Sequence, residues 1–317
     1  MVLNFNTFVL QTNLKVLEEV RPPYQTSVCF QQFDGTYMML VVSLTTIPPR
    51  FHLLDATLRS ILNQDVKIDA VEVWIPKSYR RFPQHTFCEP AVPEGVTVRV
   101  SDEDFGPATK ILPAARAYRG TDARILYCDD DHTMHRGWAQ SFLAVSEKNP
   151  DDAITIAGRD VEAFGVEEQK NKRQPRAIRK NRLLDVPFQW RKILKKQRQK
   201  QLGHKLPKIQ PDAFFWREGY VDIMEGFCGV LVRPDMFDQE ACKIPDKLWA
   251  VDDIWLSGML SKKDIGIWVN RKAEIPKEQQ NATDPLCASI IEGLNRQEAN
   301  RACIEYLQKN FRIWGDS

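Results

Sequence analysis

Short apolar runs alternate along the chain with segments of helical period. Met38-Met-Leu-Val-Val-Ser-Leu44 is an unbroken apolar run of the kind that forms a central strand buried on both faces. It stops at Thr45-Thr-Ile-Pro-Pro-Arg50, where the prolines remove ladder donors. Leu53, Leu54, Thr57, Leu58, Ile61 and Leu62 then recur at the spacing of one helix face. Residues 70–75 and 96–100 predict further strands. Pro107 suits the first turn of a helix running through Ala114, Ala115 and Ala117. Residues 123–127 predict a strand, 138–147 a helix and 153–157 a strand. After an interruption come strands at 228–232 and 265–269, with a helix opening near Asp253 between them, and a last helix from about Asp284 to Gln308. This rhythm predicts an α/β fold whose sheet is parallel or mostly parallel and covered by helices on both faces. No internal repeat is visible. Residues 1–36 lack a period and form an N-terminal extension; 37–317 form a single domain, with an insertion at about 165–212.

Composition adds two constraints. With 317 residues, 43% of them hydrophobic, the chain has ample material for a core, and 27% charged residues exclude wholesale disorder. The net charge of +2 hides a strong asymmetry. Residues 170–208 carry about +14, which leaves about −12 on the remainder. The seven cysteines, at positions 29, 88, 128, 228, 242, 287 and 303, have no zinc-site spacing and read as free thiols in a reducing compartment. The N-terminus shows no basic region followed by a long apolar run, so no secretion leader is expected, and no apolar stretch approaches ~18 residues. The expected placement is therefore cytoplasmic, with peripheral contact to the inner face of a membrane as its extension. Asn281-Ala-Thr283 fits a glycosylation sequon that chance explains.

The candidate chemistry starts at Ile125-Leu-Tyr-Cys-Asp-Asp-Asp-His132, where an apolar strand ends in three carboxylates. Ligands of open α/β sheets bind beyond the carboxyl ends of strands. Three like charges favour recruitment of a cation, and all-oxygen donors point to Mg²⁺ or Mn²⁺ rather than zinc. The same residues also fit an acidic turn or a helix N-cap, and His132 and His135 fit either assisting ligands or plain surface histidines. Asp252 and Asp253 stand where a helix begins. There a carboxylate either serves the helix dipole or acts as a general base toward an acceptor hydroxyl. In Asp104-Phe-Gly-Pro-Ala-Thr-Lys110, Gly106 permits a turn and the helix start offers N–H groups and Lys110 to an anion; a solvated lysine after a Gly-Pro turn is the alternative.

Together these segments resemble GT-A glycosyltransferases, over roughly residues 38–270. Asp129-Asp-Asp131 is similar to the DxD motif, and Val251-Asp-Asp-Ile254 to the late acidic pair of family 2-type and exostosin-like enzymes. Glu225-Gly-Phe-Cys-Gly-Val-Leu-Val-Arg233 is similar to the Gly-containing acceptor-side segment between them. The resemblance implies a GT-A type sheet and a nucleotide diphosphate sugar as donor. Asp131 would hold Mn²⁺ or Mg²⁺, with Asp129 at the metal or the ribose and Asp130 near the donor sugar. Thr45, Thr46 and Arg50 would line the nucleotide pocket, Lys110 would lie near the diphosphate or base, Asp253 would be the catalytic carboxylate and Asp252 its orienting neighbour. Glu225 and Gly226 would face the acceptor. Two family features are missing: there is no QxxRW motif, and the last histidine is His204, so no C-terminal histidine joins the metal. The implied acceptor is a hydroxyl on a surface polysaccharide or lipid-linked glycan, with inversion or retention left open.

The basic insertion mixes its cations with Leu183, Leu184, Val186, Phe188, Trp190, Ile193 and Leu194. That mixture suits an anionic membrane surface or a polyanionic acceptor, and equally a solvated helical or mobile excursion. No nucleic-acid motif appears, and nucleic acid is not an expected partner. Two other classes stay open: a nucleotidyltransferase with an Asp-bound metal, and a non-catalytic polyanion- or membrane-binding protein.

Overall fold

Alternate side chains of the first predicted strand must satisfy two separate cores, and this is what the computed structural model shows. It describes residues 32–33, 36–167, 172–204, 206, 209–279 and 295–315. Strand β1 (Leu40–Thr45) is paired in parallel with β2 (Ala70–Pro76) and β4 (Arg124–Cys128); β2 is paired in parallel with β3 (Val96–Ser101). The sheet continues through β5 (Ala153–Thr155), β6 (Gly219–Val221), β7 (Val230–Val232) and β8 (Ile267–Val269), in the order β6-β8-β5-β7-β4-β1-β2-β3. Only β7 and β6 run against the rest, so the sheet is mixed and mostly parallel. The described residues make one compact unit.

On one face Leu40, Val42 and Leu44 meet Leu54, Leu58 and Ile61 of α1 (Leu54–Leu62) and Trp138 and Phe142 of α3 (Trp138–Ser146). On the other, Val41, Ile125 and Tyr127 meet α2 (Leu112–Ala117), α5 (Asp252–Lys262) and α6 (Arg296–Phe311). Helix α5 is buried on nearly every side, because α6, the short strand Ile223–Met224 and the turn Gly106–Lys110 all pack against it. A Cβ on Gly258 would lie 2.6 Å from Leu307 Cδ1, so glycine there permits the close approach of α5 and α6.

The insertion holds helix α4 (Val186–Leu202), capped by the Asp185 carboxylate accepting from the Phe188 N–H at 3.2 Å and closed by Gly203 at φ 70°. A short antiparallel pair, Ile178–Arg179 with Phe215–Arg217, ties it to the body. The last helix starts at Arg296, behind Asn295, whose side chain accepts from the N–H groups of Gln297 and Glu298. The expected stretch from 284 to 294, the sequon at 281–283 and residues 1–31 lie outside the described residues. Cys88, Cys128, Cys228, Cys242 and Cys303 are free thiols. Among the described residues no helix is long and apolar enough to cross a membrane.

Candidate active site

Parallel neighbours β1 and β4 end side by side, so the loops after them share one edge of the sheet. A cleft of about 250 Å³ opens there. Thr45 reaches it from the end of β1, Thr46 and Arg50 from the segment that follows, Asp129, Asp130 and Asp131 from the end of β4, and Lys110 from the turn before α2. Asp252 and Asp253 enter from the first turn of α5.

The three consecutive aspartates point to three different partners. Asp129 Oδ1 accepts from Lys110 Nζ at 2.6 Å. Asp130 is buried and accepts from Thr46 Oγ1 and from an Arg50 guanidinium N–H, both at 2.7 Å. Asp131 pairs through Oδ1 with His132 Nδ1 at 2.6 Å and through Oδ2 with Arg50 at 3.3 Å. The mutual repulsion read from the sequence is thus met first by the protein's own cations. Burial drives the Asp130 carboxyl above its ordinary range, and Arg50 and Thr46 offset only part of this. For Asp131 burial also pushes upward, but the His132 hydrogen bond and the His132 and Arg50 charges prevail and hold it below that range. Burial would lower the His132 imidazole; its bond to Asp131 outweighs this and raises it. The helix-cap reading of this cluster fails, because His132–Thr133 pairs with Lys277–Glu278 and α3 begins only at Trp138.

Lys110 joins the two acidic groups. Its side chain is 4% exposed, and Nζ lies 2.6 Å from Asp129 Oδ1 and 3.0 Å from Asp252 Oδ2. Burial disfavours its charge, but Asp129, Asp252 and Asp253 reverse the balance and hold the ammonium well above its ordinary value. The sequence pattern put this lysine at an anion-binding helix start; the structure gives it a 3-10 turn, Gly106–Lys110, and commits its amine to carboxylates. Gly106 has φ 59°, and a Cβ there would meet the Trp249 ring at 2.7 Å.

Asp253 takes a main-chain N–H, from Gly226 to Oδ1 at 3.0 Å, while its own carbonyl accepts from Ser257 Oγ at 2.6 Å. Burial first, and the Asp252 charge second, push the Asp253 carboxyl up to about 7 against the opposing charge of Lys110. A carboxyl poised near neutral pH can take a proton from an alcohol as that alcohol attacks. Gly226 therefore holds the candidate base. Glu225 is not among the residues lining the cleft, and its carboxylate accepts from Arg159 Nε at 2.7 Å. Thr45 lines the cleft with its hydroxyl donated to the Trp74 carbonyl at 2.7 Å.

Sequence reasoning missed Tyr79, Asp104, Trp249 and Arg296, which also line the cleft. The Tyr79 hydroxyl is buried without a hydrogen-bond partner among the described residues. Trp249 Nε1 donates to the Asp104 carbonyl at 3.0 Å, and Arg296 donates to the Ala250 carbonyl. Asp104 and Trp249 stood in the segments that carry Lys110 and the late acidic pair, and Arg296 in the expected last helix, but none was read as a site residue; Tyr79 lay outside every segment singled out.

The sequence pattern of glycosyl transferase family 2 matches residues 50–222. This chain belongs to glycosyl transferase family 2. The family 2 match stops short of Asp252 and Asp253, which line the same cleft, and of Gly226, which donates to Asp253. Solved structures of S. aureus TarS residues 1–349 are among those this chain is similar to. The one without a named ligand has a TM-score of 0.38 at 11% identity, covering 76% of this chain and 60% of that one. The complex with UDP-GlcNAc has 0.42 at 11%, with 80% and 61% covered, and the complex with UDP has 0.40 at 12%, with 87% and 73%. The chain thus spans about three fifths of the first two. No curated protein matches the sequence.

Proposed function

We propose that this family 2 glycosyltransferase moves a sugar from a nucleoside diphosphate sugar to a hydroxyl of a surface polysaccharide or lipid-linked glycan, with Asp253 as general base. The observation that carries this reading is the convergence of Asp129, Asp131, Lys110 and Asp253 on one cleft. The acceptor oxygen attacks the anomeric carbon, the bond to the diphosphate oxygen breaks, and the hydroxyl proton passes to Asp253. Gly226 and Lys110 hold that carboxylate and its neighbour Asp252 in place. Tyr79 offers a buried hydroxyl, and Arg50 a cation, to the donor.

Mn²⁺ or Mg²⁺ fits the donor set. Asp129 and Asp131 present hard oxygens at the cleft, their side chains 36% and 20% exposed. Among the described residues no cluster of three or more His, Cys, Asp or Glu side chains is arranged around a metal position, so donor phosphates and water would complete the shell. Such an ion would neutralise the departing diphosphate.

The test is donor turnover with product analysis. Release of nucleoside diphosphate, lost on chelation and restored by Mn²⁺ or Mg²⁺, is the expected result, and Asp131→Ala should lower it about a hundredfold or more. Undiminished turnover in Asp131→Ala would remove the metal assignment, and pyrophosphate as product would move the reaction to nucleotidyl transfer.

A further inference from the structure

Helix α4 is inside out for a soluble protein. Its body-facing side carries Phe188, which is buried, and Arg191, whose guanidinium pairs with Asp212 at 2.5 Å. On a helical wheel Val186, Trp190, Ile193 and Leu194 fall on the opposite side, between 50% and 60% exposed. Leu183 and Leu184, in the turn leading into the helix, are 81% and 70% exposed. Lys196 and Lys200 flank this stripe on one side and Arg198 on the other, and no acidic residue occurs between Val186 and Leu202.

We infer that this face is a docking surface for an anionic lipid bilayer, on which α4 lies flat with Trp190, Ile193 and Leu194 in the headgroup–acyl boundary. Charge decides the occupant. A second copy meeting this face about a two-fold axis would oppose Lys196, Arg198 and Lys200 to the same residues of its partner, with no acid on the helix to offset them. Nucleic acid would use the cations but leave the apolar stripe against water. An anionic membrane uses both, because acyl chains take the apolar side chains while the flanking lysines and arginine reach lipid phosphates. The stripe is separate from the cleft, since no residue of α4 lines it. The inference rests on the glycosyl-transfer reading only in supplying a reason for the contact: a lipid-linked acceptor is found at such a surface.

The test is co-sedimentation of the full chain with phosphatidylcholine vesicles, with and without about 30% phosphatidylglycerol, at physiological salt. We expect binding to the anionic vesicles only, weakened at least tenfold in Trp190→Ser/Ile193→Ser/Leu194→Ser and in Lys196→Glu/Arg198→Glu/Lys200→Glu. Donor turnover in solution and the melting temperature should stay unchanged in both. No sedimentation with anionic vesicles, or undiminished binding by the apolar variant, would overturn the inference. So would a concentration-dependent dimer lost in that variant, or retention of RNA but not vesicles. Because donor turnover is scored separately, failure of vesicle binding leaves the catalytic reading standing, and the reverse also holds.

Discussion

Asp253 shows how one side chain is set for a task at a cost to the fold. Its carboxyl, pushed up to about 7 from the usual 3.8, binds a proton more tightly folded than unfolded. Between those two values stability must therefore fall as pH rises, and the penalty is fully present only above about 7. Asp253→Asn keeps an oxygen to accept from the Gly226 N–H but carries no charge. At pH 8 this variant should melt at a higher temperature than the parent, whereas near pH 4 the two should agree. Its transfer rate should fall about 10²- to 10⁴-fold. Melting curves at the two pH values, read beside kcat, check both halves; a variant less stable at pH 8 would contradict the assignment. The late acidic pair was legible in the sequence as a helix start. Its ionisation was not, because that depends on burial beneath a turn that comes 27 residues earlier in the chain.

At the scale of elements, most sheet strands were readable as short apolar runs and the helices as a period of 3.6, whereas β6, three residues outside any such run, was not. Leu40, Val42 and Leu44 against Val41 already imply two covered faces. The reversed direction of β7 was not readable, since an apolar run such as 230–232 looks alike either way. The direction matters here, because it returns the chain through the turn Gly226–Cys228 at the site edge of the sheet, beside the start of α5. Only a residue without a side chain fits: a Cβ on Gly226 would lie 2.8 Å from Lys110 Nζ and 3.1 Å from Asp253 Oδ1. Gly226→Ala should therefore displace the base and the lysine together, costing about 1–3 kcal/mol of stability and at least ten times more in kcat than in donor affinity. Steady-state kinetics with thermal denaturation separates this from global unfolding; an alanine variant with full kcat would show that the turn does not hold the base.

Across the whole molecule, the cleft draws on residues far apart in sequence. Thr46 and Arg50 follow the first strand of the sheet, while Arg296 belongs to its last helix. No local pattern marks an arginine in the first turn of α6 as a site residue, and only the packing of α6 on α5 brings it there. It donates to the Ala250 carbonyl, just before the acidic pair, and its charge is one of the influences that lower the Asp253 carboxyl. Two consequences can be told apart. If Arg296 only braces the turn before α5, Arg296→Ala should slow transfer equally at every pH. If its charge also reaches Asp253, removing it takes away a cation that favours the ionised base, and the base then titrates higher. The ascending limb of kcat against pH, expected near 7 in the parent, should then move toward alkaline pH, with the deficit greatest below the limb and shrinking above it. Arg296→Lys should restore most of the parent position, because it returns the charge without the guanidinium geometry. A pH–rate profile of the three proteins decides between bracing and electrostatic tuning, and an unmoved limb in Arg296→Ala would leave bracing alone.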